Sequence, residues 1–145
     1  MIRAKKSLGQ NFLIDRNILE KIVSITEIKD KTILEVGPGT GNLTSFILKN
    51  NPKKMYAVEK DKDLSANLIE NYKNQLTLIN DDILNIDENL ISSEKLIVFG
   101  NLPYNISTEI LSRWILNLKD NFWFEHLILM FQKEVANRII ADFNT

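Results

Sequence analysis

The chain has 145 residues, 44% hydrophobic and 26% charged, so it can bury a substantial core as a single soluble domain. It contains no cysteine, which excludes disulfides and thiolate metal sites, and no metal site is predicted. Apolar runs all fall well short of the roughly 18 residues of a membrane span, and the first residues lack a signal-peptide core. We therefore expect a cytoplasmic protein with no membrane partner.

Basic and acidic residues are nearly balanced, 18 against 19, for a net charge of −1. The N-terminal arm, residues 1–13, is nevertheless basic: it carries Arg3, Lys5 and Lys6, and the first acidic residue is Asp15. Such an arm can neutralise the phosphates of a nucleic acid, although many solvated tails have the same composition. Charge alone therefore leaves both interpretations open.

Hydrophobic spacing predicts alternating helices and strands. In chain order we predict a helix over 15–27 capped by Asp15, a strand over Thr32–Val36, a helix over Asn42–Lys49, a strand over Lys54–Val58, a helix over Lys62–Tyr72, a strand over 76–79, a strand over 96–100, a helix over 108–118 capped by Ser107, a strand over 126–131 and a helix over 132–141. This alternation predicts an α/β fold with a parallel sheet in the order 3-2-1-4-5, whose ligand loops lie at the carboxyl ends of the strands.

A glycine-rich loop joins the first strand to the second helix. Gly37, Gly39 and Gly41 allow the backbone to turn sharply and to approach a ligand without an intervening Cβ. The third glycine comes one residue too early for a dinucleotide fingerprint, and position 42 is asparagine. The loop therefore favours a smaller nucleoside ligand such as S-adenosylmethionine over NAD. A tight turn without a ligand is the alternative.

Two acidic residues stand at the ends of the next strands. Glu59 follows the second strand, about 20 residues past the glycine loop, where a carboxylate commonly accepts hydrogen bonds from ribose hydroxyls. Asp82 follows the third strand directly before Ile83, so it can accept from an adenine amine while Ile83 packs on the ring. We interpret Asp81 as a solvated neighbour. For Glu59, the alternative to a role in ribose binding is a carboxylate that only faces solvent.

The fourth strand ends in Phe99-Gly100-Asn101-Leu102-Pro103-Tyr104, a rigid turn that presents an amide and an aromatic ring. An exocyclic base amine is a poor nucleophile because its lone pair is delocalised into the ring. Acceptors on both of its N–H groups, Asn101 and the turn backbone, would draw that lone pair out of the plane, with Tyr104 stacked on the base. The alternative is a strand-ending turn with a buried tyrosine.

Taken together, several motifs resemble one known family. They are Leu8-Gly9-Gln10-Asn11-Phe12-Leu13, Glu35-Val36-Gly37-Pro38-Gly39-Thr40-Gly41, Glu59, Asp82, Phe99-Gly100-Asn101-Leu102-Pro103-Tyr104-Asn105-Ile106-Ser107 and Gln132-Lys133-Glu134-Val135. In this order and spacing they resemble the KsgA family of ribosomal RNA adenine dimethyltransferases, over nearly the whole chain.

This resemblance implies a Rossmann-like class I S-adenosylmethionine-dependent methyltransferase. Its implied reaction is the transfer of four methyl groups to N6 of two adjacent adenosines in the 3′-terminal hairpin loop of small-subunit ribosomal RNA, on an immature ribosomal subunit. The implied cofactor contacts are Asn11 and Leu13 to the methionine part, Gly37 to the carboxypropyl chain, Glu59 to the ribose and Asp82 to the adenine amine. Asn101 would lie between cofactor and target amine, and Tyr104 would stack on the flipped adenine.

The family's sequences continue beyond position 145 with a hairpin, a pocket loop and a small helical domain. We therefore interpret residues 1–145 as a truncated cofactor-binding domain with little activity on RNA by itself. Strand five would then be left as an apolar sheet edge, which predicts self-association. The alternatives are an adenine methyltransferase acting on large-subunit ribosomal RNA in antibiotic resistance or on DNA, and a non-catalytic RNA-binding assembly module.

Overall fold

The computed structural model describes residues 15–102, 105–118 and 122–142. The strands are β1 (Thr32–Val36), β2 (Lys54–Val58), β3 (Thr77–Ile79), β4 (Leu96–Asn101) and β5 (Phe124–Met130). The helices are α1 (Arg16–Val23), α2 (Asn42–Lys49), α3 (Lys62–Tyr72), α4 (Ser107–Leu116) and α5 (Lys133–Ile139). Short 3₁₀ turns lie at Lys73–Gln75, Ile83–Asn85 and Glu88–Leu90.

The five strands form one parallel sheet in the order β3-β2-β1-β4-β5, which confirms the predicted topology. Ile33 at the centre of the sheet pairs with Met55 of β2 on one side and with Ile97 of β4 on the other. The chain therefore winds in opposite directions from β1. Ligands of open α/β sheets bind at the carboxyl ends of the strands beside such a reversal.

Side chains alternate across the sheet and build a separate apolar core on each face. Along β1, Ile33 faces the core that contains α1, α2 and α3, whereas Leu34 faces the core that contains α4. Both residues are fully buried. Burial on two faces explains why the apolar residues of β1 do not alternate regularly with polar ones.

Several predicted boundaries differ from the structure. α1 ends at Val23, not near Glu27, because the chain turns there and buries Ile28 instead of the exposed Ile25. Ser107 is the first residue of α4 rather than its cap, a position held by Ile106.

Two apolar residues on the helices, Ile69 of α3 and Ile115 of α4, are 57% and 52% exposed. Each helix covers the sheet with only one stripe, so flanking apolar positions stay in solvent. Across the described ranges, no helix is long and apolar enough to span a membrane.

Candidate active site

The glycine loop is hydrogen-bonded directly to Glu59. The backbone N–H of Gly39 donates to Glu59 Oε2 at 3.1 Å, and the N–H of Asp61 donates to Glu59 Oε1 at 3.0 Å. The carboxylate is therefore fixed between the loop after β1 and the start of α3. The backbone N–H of Lys60 also acts on this carboxylate. A carboxylate has about four acceptor positions, so the group can still accept from a hydroxyl.

Glu59 is 6% exposed, and this burial raises its pKa, while the hydrogen bonds from the Asp61 and Gly39 amides act in the opposite direction. A buried carboxyl group that two backbone donors orient is preorganised to receive further donors. A hydroxyl of a ribose matches that requirement.

Gly37 lies against the end of β4. Its φ is +70°, and a Cβ added there would lie 3.1 Å from the backbone oxygen of Asn101. Its N–H donates to the carbonyl of Val58 at 2.9 Å. The backbone of Gly37 thus passes between the ends of β2 and β4. A side chain at this position would fill the gap between Gly37 and the backbone of Asn101.

Asp82 caps the turn that follows β3. Its Oδ1 accepts from the N–H of Leu84 at 3.0 Å, and its Oδ2 lies 3.1 Å from Nζ of Lys60. Burial acts to raise the pKa of Asp82, but the N–H of Leu84 and the charges of Lys60 and Arg113 hold that pKa below its usual value. The group is therefore an ionised acceptor near neutral pH, as contact with a base amine requires.

Sequence reasoning assigned no role to Asn80 and Tyr72, yet both hold the site together. Asn80 Nδ2 donates to the carbonyl of Glu59 at 2.8 Å and contacts Ser65 Oγ at 3.0 Å, which ties the end of β3 to β2. The Tyr72 hydroxyl donates to the carbonyl of Gly41 at 2.9 Å. The position of Asn80 just after a strand was an available signal, whereas Tyr72 looked like one more residue of an apolar helix stripe.

Glu35 was quoted in the resemblance without a role of its own. It is 2% exposed within β1, and the Thr44 hydroxyl donates to its Oε2 at 2.5 Å. Burial raises the pKa of Glu35 to about 8, against the opposing effect of the Thr44 bond. This buried carboxyl group joins β1 to α2, the two elements that the glycine loop connects.

The structure therefore brings Gly37, Glu59, Asp82 and Asn101 to one edge of the sheet, at the ends of β1 to β4. Asn101 is partly buried there. Asp81 is exposed, and its Oδ1 accepts from Asp82 and Asn85.

Asn11, Leu13 and Tyr104 lie outside the described residues, as does the basic arm. Within the described part of the chain, no group of three or more His, Cys, Asp or Glu side chains is arranged to hold a metal ion.

A parallel α/β sheet with a glycine loop, a buried strand-end glutamate and a strand-end aspartate is the arrangement typical of nucleoside-binding domains. The chain as a whole, residues 1–145, matches the family described as ribosomal RNA adenine dimethylase. It belongs to that family, which confirms the resemblance found in the sequence.

Two relatives, both named ribosomal RNA small subunit methyltransferase A, show how much of such a protein the chain represents. The one from Pelagibacter ubique is 66% identical over 143 residues, which is 99% of this chain and 55% of the relative. The one from a Wolbachia of Culex pipiens is 40% identical over 149 residues, or 100% of this chain and 55% of the relative. The chain thus spans about half the length of these relatives.

Solved structures agree with this placement. A dimethyladenosine transferase from Plasmodium falciparum has a TM-score of 0.75 at 28% identity, covering 91% of this chain and 47% of that protein. The 23S ribosomal RNA methyltransferase ErmE has a TM-score of 0.74 at 25% identity, covering 88% and 50%. An RNA methyltransferase from Salinibacter ruber, solved with S-adenosyl-L-homocysteine, shares the fold with a TM-score of 0.62 at 14% identity, covering 77% and 74%.

Proposed function

We propose that this chain is the cofactor-binding part of an enzyme that transfers methyl groups from S-adenosylmethionine to N6 of adenosines in small-subunit ribosomal RNA. The observation that carries the proposal is the convergence of Gly37, Glu59, Asp82 and Asn101 at one sheet edge. Membership of the adenine dimethylase family and the names of the relatives support the same substrate.

The residues at this edge suit S-adenosylmethionine in chemical character. Glu59 would accept from a ribose hydroxyl through its remaining acceptor position, and Asp82 would accept from the adenine amine through Oδ2. The bare backbone at Gly37 would leave room for the carboxypropyl chain beside Asn101, where a Cβ would intrude. Asn11 and Leu13 would complete the methionine contacts from the N-terminal arm.

Asn101 and Tyr104 would handle the target base. The cofactor supplies a methyl group already activated by its sulphonium charge, so positioning of the amine accounts for most of the catalysis. Asn101 and the turn backbone would accept the two N–H groups of the amine and direct its lone pair out of the ring plane. Tyr104 would stack on the flipped base, which leaves a hairpin loop at lower cost than it would leave a duplex.

A second candidate is methylation of large-subunit RNA, which the similarity to ErmE favours. The run Asn105-Ile106-Ser107 and the run Gln132-Lys133-Glu134 instead favour the small-subunit substrate. Assays of this chain, extended with the remaining half of a longer relative, on immature small and large ribosomal subunits separate these candidates, and we expect methylated adenosine in the small-subunit RNA. In the same assay Asn101→Ala should abolish product, and unchanged product would contradict the assigned mechanism.

The cofactor half of the proposal is tested by calorimetric titration of the 145-residue chain with S-adenosylmethionine. We expect saturable binding that Glu59→Ala weakens on the order of tenfold, because a hydrogen bond to a charged group is lost. Glu125→Ala is the matched control, since Glu125 lies at the opposite end of the sheet and pairs with the exposed Lys31. Equal affinity for the Glu59 and Glu125 variants would refute the ribose assignment.

We also propose that the protein is located in the cytoplasm and that two copies of it associate through the exposed edge of β5. β5 is the last strand of the described sheet, and its residues are exposed or only half-buried. An unpaired strand edge is a template for pairing with another chain. Sedimentation over a range of concentrations should show a rising mean mass, whereas a constant monomer mass would contradict the proposal.

A further inference from the structure

Arg113 on α4 binds the segment that follows Asp82. Its guanidinium donates to the carbonyls of Leu84 at 2.6 Å, Ile83 at 2.9 Å and Ile86 at 3.0 Å. It also forms an ion pair with the carboxylate of Glu88. One side chain thus satisfies three backbone acceptors and one charge within the segment 83–88.

The ion pair is largely shielded from water. The side chains of Arg113 and Glu88 are 23% and 8% exposed, and Trp114 Nε1, from a 1% exposed residue, donates to the same Glu88 oxygen at 2.6 Å. An arginine that is shielded from water and makes several hydrogen bonds has a more fixed conformation than the long side chains of an exposed ion pair. The segment 83–88 is therefore fixed to α4 at a defined place.

Arg113 joins segment 83–88, which lies beside the proposed adenine contact, to α4, which lies beside the proposed target-base motif. Segment 83–88 begins directly after Asp82, whose Oδ1 caps its first turn. α4 begins directly after the motif that starts at Asn101. Arg113 also contributes to the positive potential at Asp82, because its charge is one of those that lower the pKa of that group.

We propose that Arg113 is a positioning residue that holds the 83–88 turn so that Asp82 meets the adenine amine of the cofactor. We call the contacts of Arg113 with residues 83–88 the clamp. The identity of the ligand rests on the proposed function, whereas the clamp rests on the contacts of Arg113 alone. A role in stability alone would require burial of the pair but not three bonds to the backbone of the turn that Asp82 caps. The clamp fixes the distance between Asp82 and the target-base motif as well.

The first test compares two ligands on the 145-residue chain: S-adenosylhomocysteine and its analogue with unsubstituted purine, which has hydrogen in place of the amine. The wild-type chain should prefer the adenine ligand on the order of tenfold, as one hydrogen bond to a charged acceptor implies. Arg113→Met should reduce that preference to roughly twofold or less. Arg16→Met is the matched control, because Arg16 pairs only with the exposed Glu20 among the contacts described.

The outcomes separate the clamp from the proposed function. If Arg113→Met weakens both ligands equally and keeps the preference, Arg113 does not position Asp82 and the inference is wrong. If the wild-type chain binds neither ligand, the proposed function fails first. The clamp is then decided by the second measurement, which needs no ligand.

The second measurement is amide hydrogen exchange. The N–H groups of Leu84, Asn85 and Ile86 are bonded within the turn that Arg113 holds. Arg113→Met should speed their exchange at least tenfold while the amides of β1 and β2 are unchanged, and Arg113→Lys, which keeps the charge but not the fork of donors, should give an intermediate rate. Unchanged exchange at these three amides in Arg113→Met would overturn the clamp.

Discussion

The central strand β1 and the edge strand β5 differ sharply in how the fold supports them. All five residues of β1 are buried, with neighbouring strands on both sides. In β5 every residue is exposed or half-buried, and α5 after it has no buried residue. The centre of the sheet is thus covered by contacts within the described chain, whereas the β5 edge receives little cover from it.

This difference leads to an expectation about which part of the proposed enzyme can act alone. Glu59 is fixed by backbone donors from Gly39 and Asp61, and its own carbonyl accepts from Asn80. No comparable network of described contacts surrounds the outer face of β5. We therefore expect cofactor binding to survive in this chain and RNA methylation to depend on further sequence, such as the other half of the longer relatives.

A matched pair of leucine truncations gives the largest expected contrast between the two strands. Leu34 of β1 is fully buried, and Leu127 of β5 is half-buried against the same apolar core. Leu34→Ala should lower the free energy of unfolding by about 3 to 5 kcal/mol, and Leu127→Ala by about 1 to 2 kcal/mol, because the edge site leaves a smaller cavity. Denaturant titration of both variants measures the difference; similar losses would show that β5 is as well supported as β1.

Gly41→Ala should have the next largest effect. Gly41 has a φ of +89°, and a Cβ there would lie 2.9 Å from Leu68 Cδ2 and 3.0 Å from Tyr72 Cε2. Strain in the left-handed region and the clash together should cost about 2 to 3 kcal/mol of unfolding free energy. Thermal unfolding measures the loss, and Tyr72→Phe is its companion, since it removes only the hydroxyl that donates to Gly41. A neutral Gly41→Ala would mean that α3 does not constrain the loop.

Glu35→Gln tests a dependence of stability on pH, which is the smallest of these effects over a single pH unit. The pKa of Glu35 is raised from 4.5 to about 8, so the folded chain keeps this proton to higher pH than the unfolded chain does. Its contribution to stability is fully present below 4.5, declines as the pH rises and is lost above about 8. Within that window the free energy of unfolding should fall by about 1.4 kcal/mol per pH unit on account of this one group.

The measurement is urea unfolding of wild type and Glu35→Gln at several pH values within that window. The difference in the free energy of unfolding between the two proteins should change by about 1.4 kcal/mol per pH unit. Parallel curves for wild type and Glu35→Gln would show that Glu35 is ionised in the folded protein.

The sequence predicted the sheet order and the positions of the strand-end residues because both follow from local patterns. Apolar runs broken by Gly37 or followed by Glu59 and Asp82 mark strand ends in any parallel sheet, whatever packs around them. The resemblance then supplied roles for the residues at those ends. For Glu59, the structure adds the two backbone donors that orient it.

What the sequence could not give depends on packing between distant elements. Arg113 lies within the helix predicted over 108–118 and received no role there, because only the fold places its guanidinium against the carbonyls of Ile83, Leu84 and Ile86. Asn80 and Tyr72 were missed for the same reason. The end of α1 at Val23 was misjudged because periodicity continues past it, whereas burial of Ile28 required the chain to leave the helix.

The pairing of β1 also orders the way in which the chain folds. Ile33 meets Met55 by closing a short loop through α2, but it meets Ile97 only by closing one roughly three times as long, at an extra entropic cost of about 1 kcal/mol. The β1-α2-β2 unit, which contains the glycine loop and ends at Glu59, is therefore favoured to form first. During synthesis this unit also leaves the ribosome before β4 does. We therefore expect the glycine loop and Glu59 to come together before the strand that carries Asn101 docks.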